Sequence, residues 1–398
     1  MLFKYLKDFS LFFLLFVSFN DFFSIELTGD YIIKAALALF VVVHINDYLE
    51  MISSRSSIAI RGFYTFMLVL AVVTIASNLL YFDNTLVVGI TRMFSIFALF
   101  IYFSYTKELD KVLYMLWAIM IFSSIVAYFS APLDLYTFRK TGATEDPNEF
   151  AAQLLVILFV TVYLFQKNKN WFFLLGSLGI FTYTLLFAGS KSAFIFLALI
   201  LLFIFIARFK NIISHMFSAK GLVATIVLAG VISAGIMMSG TAVEGLKGRA
   251  QKTGTFEQRL IVWRAGGEMI RDHFFIGVGF GEFKNVSGRY VKDFLAEEAR
   301  PSHNNFVKIF AESGVFAFLT FTFFILALFM TRFYEIVRSD YYWLYLASLS
   351  MVLMGLTVPS LHHKDFWIAL AIVSNVIILF MRKEAEGEAV NVIKEKSD

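Results

Sequence analysis

Hydrophobic positions along this chain gather into long runs, broken by short polar stretches. A bilayer core takes about 20 apolar residues per helix. Twelve runs read that way: 9–27, 31–48, 62–82, 85–105, 112–129, 150–165, 171–187, 192–209, 222–238, 305–330, 341–359 and 366–381. Residues 239–302 break the pattern, because these 64 positions read like a water-exposed segment. The pattern predicts an all-α polytopic membrane bundle of about twelve transmembrane helices with one long outer loop. It divides into spans one to nine over 1–238, a loop domain over 239–304, spans ten to twelve over 305–382, and a charged, disordered tail over 383–398. Lys4 and Lys7 flank the first run as in a signal peptide. Asn20, Asp21 and Phe22 stand where small residues would mark cleavage, so that run is read as a retained span.

Composition narrows the class. Hydrophobic residues make up 59% and charged residues 16% of 398 positions, with mean hydropathy +0.75. A soluble domain has roughly 45–50% and about 25%. An ordinary soluble protein and a disordered chain are both excluded. With no cysteine, disulfides, thiolate metal sites and a cysteine nucleophile are excluded too. A net charge of +4 is too small to argue for nucleic acid. With the N-terminus inside, 17 Lys and Arg fall in inner segments and 4 in short outer loops. That bias predicts both termini on the cytoplasmic side. The long segment faces outward, since long loops cross whatever their charge.

Inside that segment, 256–271 predicts a helix. Glu257, Arg264, Glu268 and Arg271 share one face, and Arg259, Trp263, Gly266 and Ile270 the opposite, apolar one. Gly277, Gly279 and Gly281 follow as a turn-rich stretch. Charge within a membrane is expensive and needs a partner or a task. His273, His303, His362, His363, Arg139, Lys140, Lys191, Arg259 and Lys364 are all predicted at the outer end. Arg92 lies roughly 10 Å below the outer end of the fourth span. Distant spans thus bring positive charge to one membrane face. This suits an anionic ligand such as a lipid-linked phosphate.

Each candidate has a plainer alternative. His303, in Pro301-Ser302-His303-Asn304-Asn305, has the chemistry of a general base near neutral pH, or it is an interfacial cap. Arg259 holds an anionic ligand or a structural carboxylate, whereas Arg264 with Glu268 at i+4 is a solvated pair. Lys191, in the Gly189-Ser190-Lys191-Ser192 break, holds an anion or snorkels. Lys308 and Glu312, spaced i,i+4, neutralise each other. Asp146-Pro147-Asn148-Glu149 is a helix start by itself. His362, His363 and Lys364 line the outer mouth, although adjacent histidines do not face one way on a helix. With Asp365 they match no standard metal spacing, and a metal is discounted.

Together these segments resemble the O-antigen ligase-like family, membrane enzymes that ligate or polymerise lipid-linked bacterial surface glycans. The resemblance rests on the Gly189–Ser192 break, on Gln258-Arg259-Leu260-Ile261-Val262-Trp263 and on Asp272-His273-Phe274-Phe275-Ile276-Gly277-Val278-Gly279-Phe280-Gly281. It rests also on His303-Asn304-Asn305-Phe306 with Glu312-Ser313-Gly314, and on the Asp146-Pro147-Asn148 helix start. It is closest over roughly 185–325.

The resemblance implies a helical bundle in the bacterial inner membrane with its site facing the periplasm. It implies a glycan donor on undecaprenyl diphosphate, an acceptor hydroxyl on a glycan or on lipid A core, and no cofactor or required metal. By the same resemblance His303 activates the acceptor, and Arg259 and position 191 hold the diphosphate. Position 191 is usually Arg in the family; here it is Lys191, a point charge without the guanidinium fork. Arg92, Arg139, Lys140, Arg264 and Lys364 are accessory candidates. Polymerase and ligase activities share these motifs. The Asp-Pro-Asn start and the segment His363-Lys364-Asp365-Phe366-Trp367 lean toward polymerase. A relative that glycosylates protein is a third possibility. The reading outside this class is a lipid-linked glycan flippase or another twelve-span transporter. Paired repeats and midplane polar groups would favour it, but no repeat is visible and the polar groups gather at one face.

Overall fold

A computed structural model describes residues 2–19, 29–54, 56–81, 86–129, 141–142, 144, 146–216, 254–290 and 301–395, and their regular elements are all helices. In chain order these are α1 (Leu2–Phe19), α2 (Gly29–Val43), α3 (Ile45–Ser53), α4 (Ile58–Tyr81), α5 (Leu86–Tyr105), α6 (Leu109–Phe129), α7 (Pro147–Asn168), α8 (Trp171–Ala188) and α9 (Lys191–Met216). After them come α10 (Gly254–Asp272), α11 (Phe283–Ser287), α12 (Asn305–Met330), α13 (Phe333–Val337), α14 (Tyr342–Met354), a 3-10 turn at Ser360–His362, and α15 (Lys364–Glu395).

Among the described residues seven helices are long and apolar enough to cross a membrane: α4 to α8, α12 and the first part of α15. The second predicted run is a bent pair, Ile32–Val43 and Ile45–Ser53 at 67°, which makes eight if it counts as one span. The run 341–359 is shorter than predicted, since α14 stops at Met354 and Gly355 and Pro359 mark a turn. The run 222–238 lies outside the described residues, as do Arg139 and Lys140. Residues from 383, predicted as a disordered tail, continue α15 as helix to Glu395. Lys, Glu and Ala there are good helix formers, and Glu384 pairs with Arg332.

Local chemistry sets the helix ends. Asp146 caps α7, accepting from the Asn148 amide at 2.6 Å, with Pro147 in the first turn. Asn170 caps α8, and Gly189 ends it in the left-handed region at φ 59°. Asn304 caps α12 by accepting from the Phe306 and Val307 amides. Trp367 of α15 is fully buried, and Phe63, Phe66, Phe100, Phe321 and Phe324 from α4, α5 and α12 have ring centroids within 6.5 Å of it. Its indole N–H donates to the Leu361 carbonyl at 2.8 Å, which removes the cost of burying that donor. Other phenylalanines, such as Phe94, Phe122 and Phe172, point outward. Phenylalanine therefore serves both the core and the outer surface of the bundle.

Candidate active site

Helix α10 docks on α12 through a small apolar core. Val262, Met269, Val278, Phe283 and Ala311 are buried together. Gly266 makes the approach possible, because a Cβ there would lie 2.6 Å from Val307 Cγ1. The exposed face carries Arg264, Glu268 and Arg271 as predicted. The buried stripe is Val262, Ala265, Gly266 and Met269, so Arg259, Trp263 and Ile270 occupy its half-buried edge. Edge placement lets Trp263 reach sideways, and its indole N–H donates to the Ser302 carbonyl at 2.9 Å. That bond ties the helix bearing Arg259 to the residue preceding His303.

His303 adopts a left-handed backbone, φ 49°, which non-glycine residues seldom do. Its neighbours hold it there. Ser302 is buried and Asn304 caps α12. Asn305 accepts from the Leu361 amide at 2.9 Å and donates to Ser360 Oγ at 3.0 Å, while its own amide donates to the Gly355 carbonyl at 2.7 Å. The three residues thus have separate tasks. His303 is presented, Asn304 starts the helix, and Asn305 fixes the turn that carries His362.

Arg259 faces the carboxylate of Asp146. Burial is the larger influence on its pKa and lowers it, and Asp146 acts the other way. Asp146 is therefore both helix cap and counter-charge, whereas the sequence suggested the cap alone. Lys191 is the exposed first residue of α9, and Ser190 before it is buried. A cation at a helix N-terminus, where free N–H groups collect, suits an anion.

Within α12 the helix breaks at Gly314, φ 73°. The segment after α10 supplies the missing hydrogen bonds. Val278 and Gly279 amides donate to the Ala311 and Glu312 carbonyls at 2.9 Å, and the Val315 amide donates to the Phe274 carbonyl at 2.9 Å. Glycine is required at both contact points, because a Cβ on Gly277 or Gly314 would collide with the opposite backbone. An interrupted span is tolerated where other protein satisfies its backbone.

Below the break lies a charged cluster. Glu312 is fully buried, and its Oε1 accepts from the Phe283 amide at 3.1 Å. Lys308 and Glu312 attract each other electrostatically, as their spacing suggested. His362 comes between them, with Lys308 Nζ at 3.1 Å from Nδ1 and Glu312 Oε2 at 3.3 Å from Nε2. An ammonium only donates, so Nδ1 is the unprotonated nitrogen and Nε2 carries the hydrogen. The Nε2 contact is close but not an aligned hydrogen bond. Burial, and then the Lys308 charge, push His362 down to a pKa of about 4, which agrees with a neutral ring. His363 turns away, its Nε2 3.2 Å from Glu149 Oε1, so the adjacent histidines do diverge. Arg92 of α5 reaches this cluster, its guanidinium lying against Gly281. Lys364 opens α15 nearby, and Arg264 is exposed on the outer face of α10. Among the described residues no group of His, Asp and Glu has the arrangement of a metal site.

Comparison with known families bears on this region. Residues 175–322 match the family model described as O-Antigen ligase. This stretch is similar to the O-antigen ligases. The O-antigen ligase-type match takes in Lys191, Arg259, His303, Lys308 and Glu312, and nearly coincides with the 185–325 stretch that carries the sequence resemblance. It supports a membrane enzyme of the ligase or polymerase kind acting on lipid-linked glycans. No curated protein matches the chain.

Sequence reasoning named Asn305 only within the His303-Asn304-Asn305 motif and missed its task in holding the turn, along with the linking role of His362. The signal for Asn305 was present, since a second Asn at the mouth of an apolar run needs partners for its amide.

Proposed function

We propose that this protein is a metal-independent glycosyltransferase of the bacterial inner membrane. It transfers a glycan from an undecaprenyl-diphosphate carrier to an acceptor hydroxyl at the periplasmic face. His303 takes the proton of that hydroxyl. The oxygen then attacks the anomeric carbon, and the bond from that carbon to the diphosphate breaks. The lipid diphosphate leaves with the bonding pair, and the cations of Arg259 and Lys191 stabilise its added charge. Diphosphate is already a good leaving group, so the clamp matters more than an acid. The chain crosses the membrane twelve times, with both termini cytoplasmic and 239–304 outside.

One observation carries the reading. A single O-antigen ligase-type stretch contains all three residues, and the Trp263–Ser302 bond fixes the Arg259 helix to the His303 segment. The test is a gel of surface and carrier-linked glycans from the host with the gene deleted. Core bearing one repeat, with the ladder gone, means polymerase, toward which the Asp146–Asn148 helix start and the 363–367 segment lean. Long chains stranded on the carrier, with bare core, mean ligase. Normal glycans from a verified His303→Ala or Arg259→Ala strain would sink the mechanism. Unchanged pools on deletion would return the question to a transporter or to a different glycan.

A further inference from the structure

Among the described residues Arg92 has no carboxylate partner. It is half-buried, about 9 Å inside the span that begins at Leu86, where an uncompensated charge is costly. The nearby carboxylates are engaged elsewhere. Glu312 faces His362 and the Phe283 amide, and Glu149 faces His363. Among the described residues no carboxylate pairs with Arg92. The charged groups it acts on, Lys308 and His362, are basic.

Gly281 is left-handed at φ 101°, and a Cβ there would collide with Arg92 Nη1. A snorkelling arginine would run out along lipid; this one lies against the turn that follows α10. Glu312 is committed to Lys308 and to His362.

We propose that Arg92, against the Gly281 turn, anchors an oxyanion subsite that takes a phosphate or carboxylate group of the substrate. A guanidinium fork matches either group through two parallel hydrogen bonds. The inference deepens the proposed site. It rests on that reading for the ligand's source, and on the charge balance for the subsite itself.

The test uses the full chain in detergent with three probes: farnesyl diphosphate, methyl glucuronide and uncharged farnesol. Arg92→Gln is expected to lose about tenfold in affinity for one anionic probe, or about 1.4 kcal/mol, and none for farnesol. Arg92→Lys is expected to lose less. Loss for the diphosphate assigns the subsite to the lipid carrier, and loss for the glucuronide assigns it to an acidic sugar. Unchanged affinity for both anions overturns the proposal. Should Arg92→Gln fail to fold, phenylglyoxal labelling of wild-type Arg92, read by mass spectrometry, replaces it. Protection by an anionic probe supports the subsite, and equal labelling with and without each anionic probe overturns it. Binding is read without glycan transfer, so failure of the His303 mechanism is distinguishable from failure here.

Discussion

The two ends of the bundle use charge differently, although the same helices build both. At the end away from His303, cations are spent on carboxylates. Lys7 meets Asp47 at 2.6 Å, Lys111 meets Asp8 and Glu108, Lys167 meets Asp110 at 3.5 Å, and Arg332 meets Glu335 and Glu384. A cavity of about 260 Å³ opens there, but its lining residues Lys7, Asp8, His44 and Asp47 are among those already paired. Two histidines, His44 and His362, show the contrast most directly. At the far end a carboxylate is the bridge, with Asp47 between His44 Nδ1 and Lys7. At the site end the imidazole is the bridge, with His362 between Lys308 and Glu312. A bridging carboxylate balances two cations, whereas a neutral imidazole touches a cation and a carboxylate without adding charge of its own. Among the described residues the far end is balanced by its own carboxylates, whereas at the site end Arg92 has no carboxylate partner.

The largest effect that would test this contrast is Glu312→Gln. It leaves Lys308 and Arg92 in the bundle with no carboxylate beside His362 and weakens the acceptor of the Phe283 amide. Removing one partner of a buried ionic group costs about 3–5 kcal/mol. Thermal unfolding in detergent should show a loss of that size. A cost below about 1 kcal/mol would mean that Glu312 is not the internal balance of the site end. Asn305→Ala comes next. It removes two buried hydrogen bonds to the His362 turn, for about 2 kcal/mol. It should also lower glycan transfer, since the turn and the α12 start move together.

Acidity probes the bridging ring itself. His362 is held at a pKa of about 4 in the fold, against 6.5 without it. Between those values the unfolded chain binds the proton and the folded one does not, so stability falls as pH drops from 6.5 toward 4. His362→Gln should flatten the stability curve in that window. An unchanged slope in the variant would remove His362 as its cause.

Much of this arrangement was legible in the sequence. Apolar runs placed most helices, because a bilayer imposes a minimum length that composition reveals. The polar and apolar faces of 256–271 were readable from helical period, though the buried stripe centres on Val262 and Met269 rather than on Trp263. The Lys308–Glu312 spacing identified two members of the buried cluster. The third, His362, is 50 residues beyond Glu312, and only the clamp of Asn305 on its turn brings it there. Arg259 needed a carboxylate, but period alone could not say that the cap of α7 would supply it. Long-range partners of this kind depend on how helices pack, and a single chain's periodicity does not encode that packing locally.

A smaller effect sharpens the comparison at the site end. Trp263→Phe keeps the ring and deletes the hydrogen bond to the Ser302 carbonyl. The stability cost should be about 1 kcal/mol. Transfer should fall by more than that loss of folded protein explains, because the bond fixes the approach to His303. Equal losses in transfer and folded protein would make Trp263 a packing residue only.

The smallest effect belongs to the far end. Glu384→Gln removes one carboxylate from Arg332, but Glu384 is 56% exposed and Glu335 still holds the arginine at 2.7 Å. Exposed pairs contribute roughly 0.2–1 kcal/mol, so unfolding should shift by no more than that, and less at high salt. Transfer should be unchanged, because the pair lies a full span away from His303. A large loss of transfer in folded Glu384→Gln protein would break the comparison, since charge at the balanced end would then govern chemistry at the other.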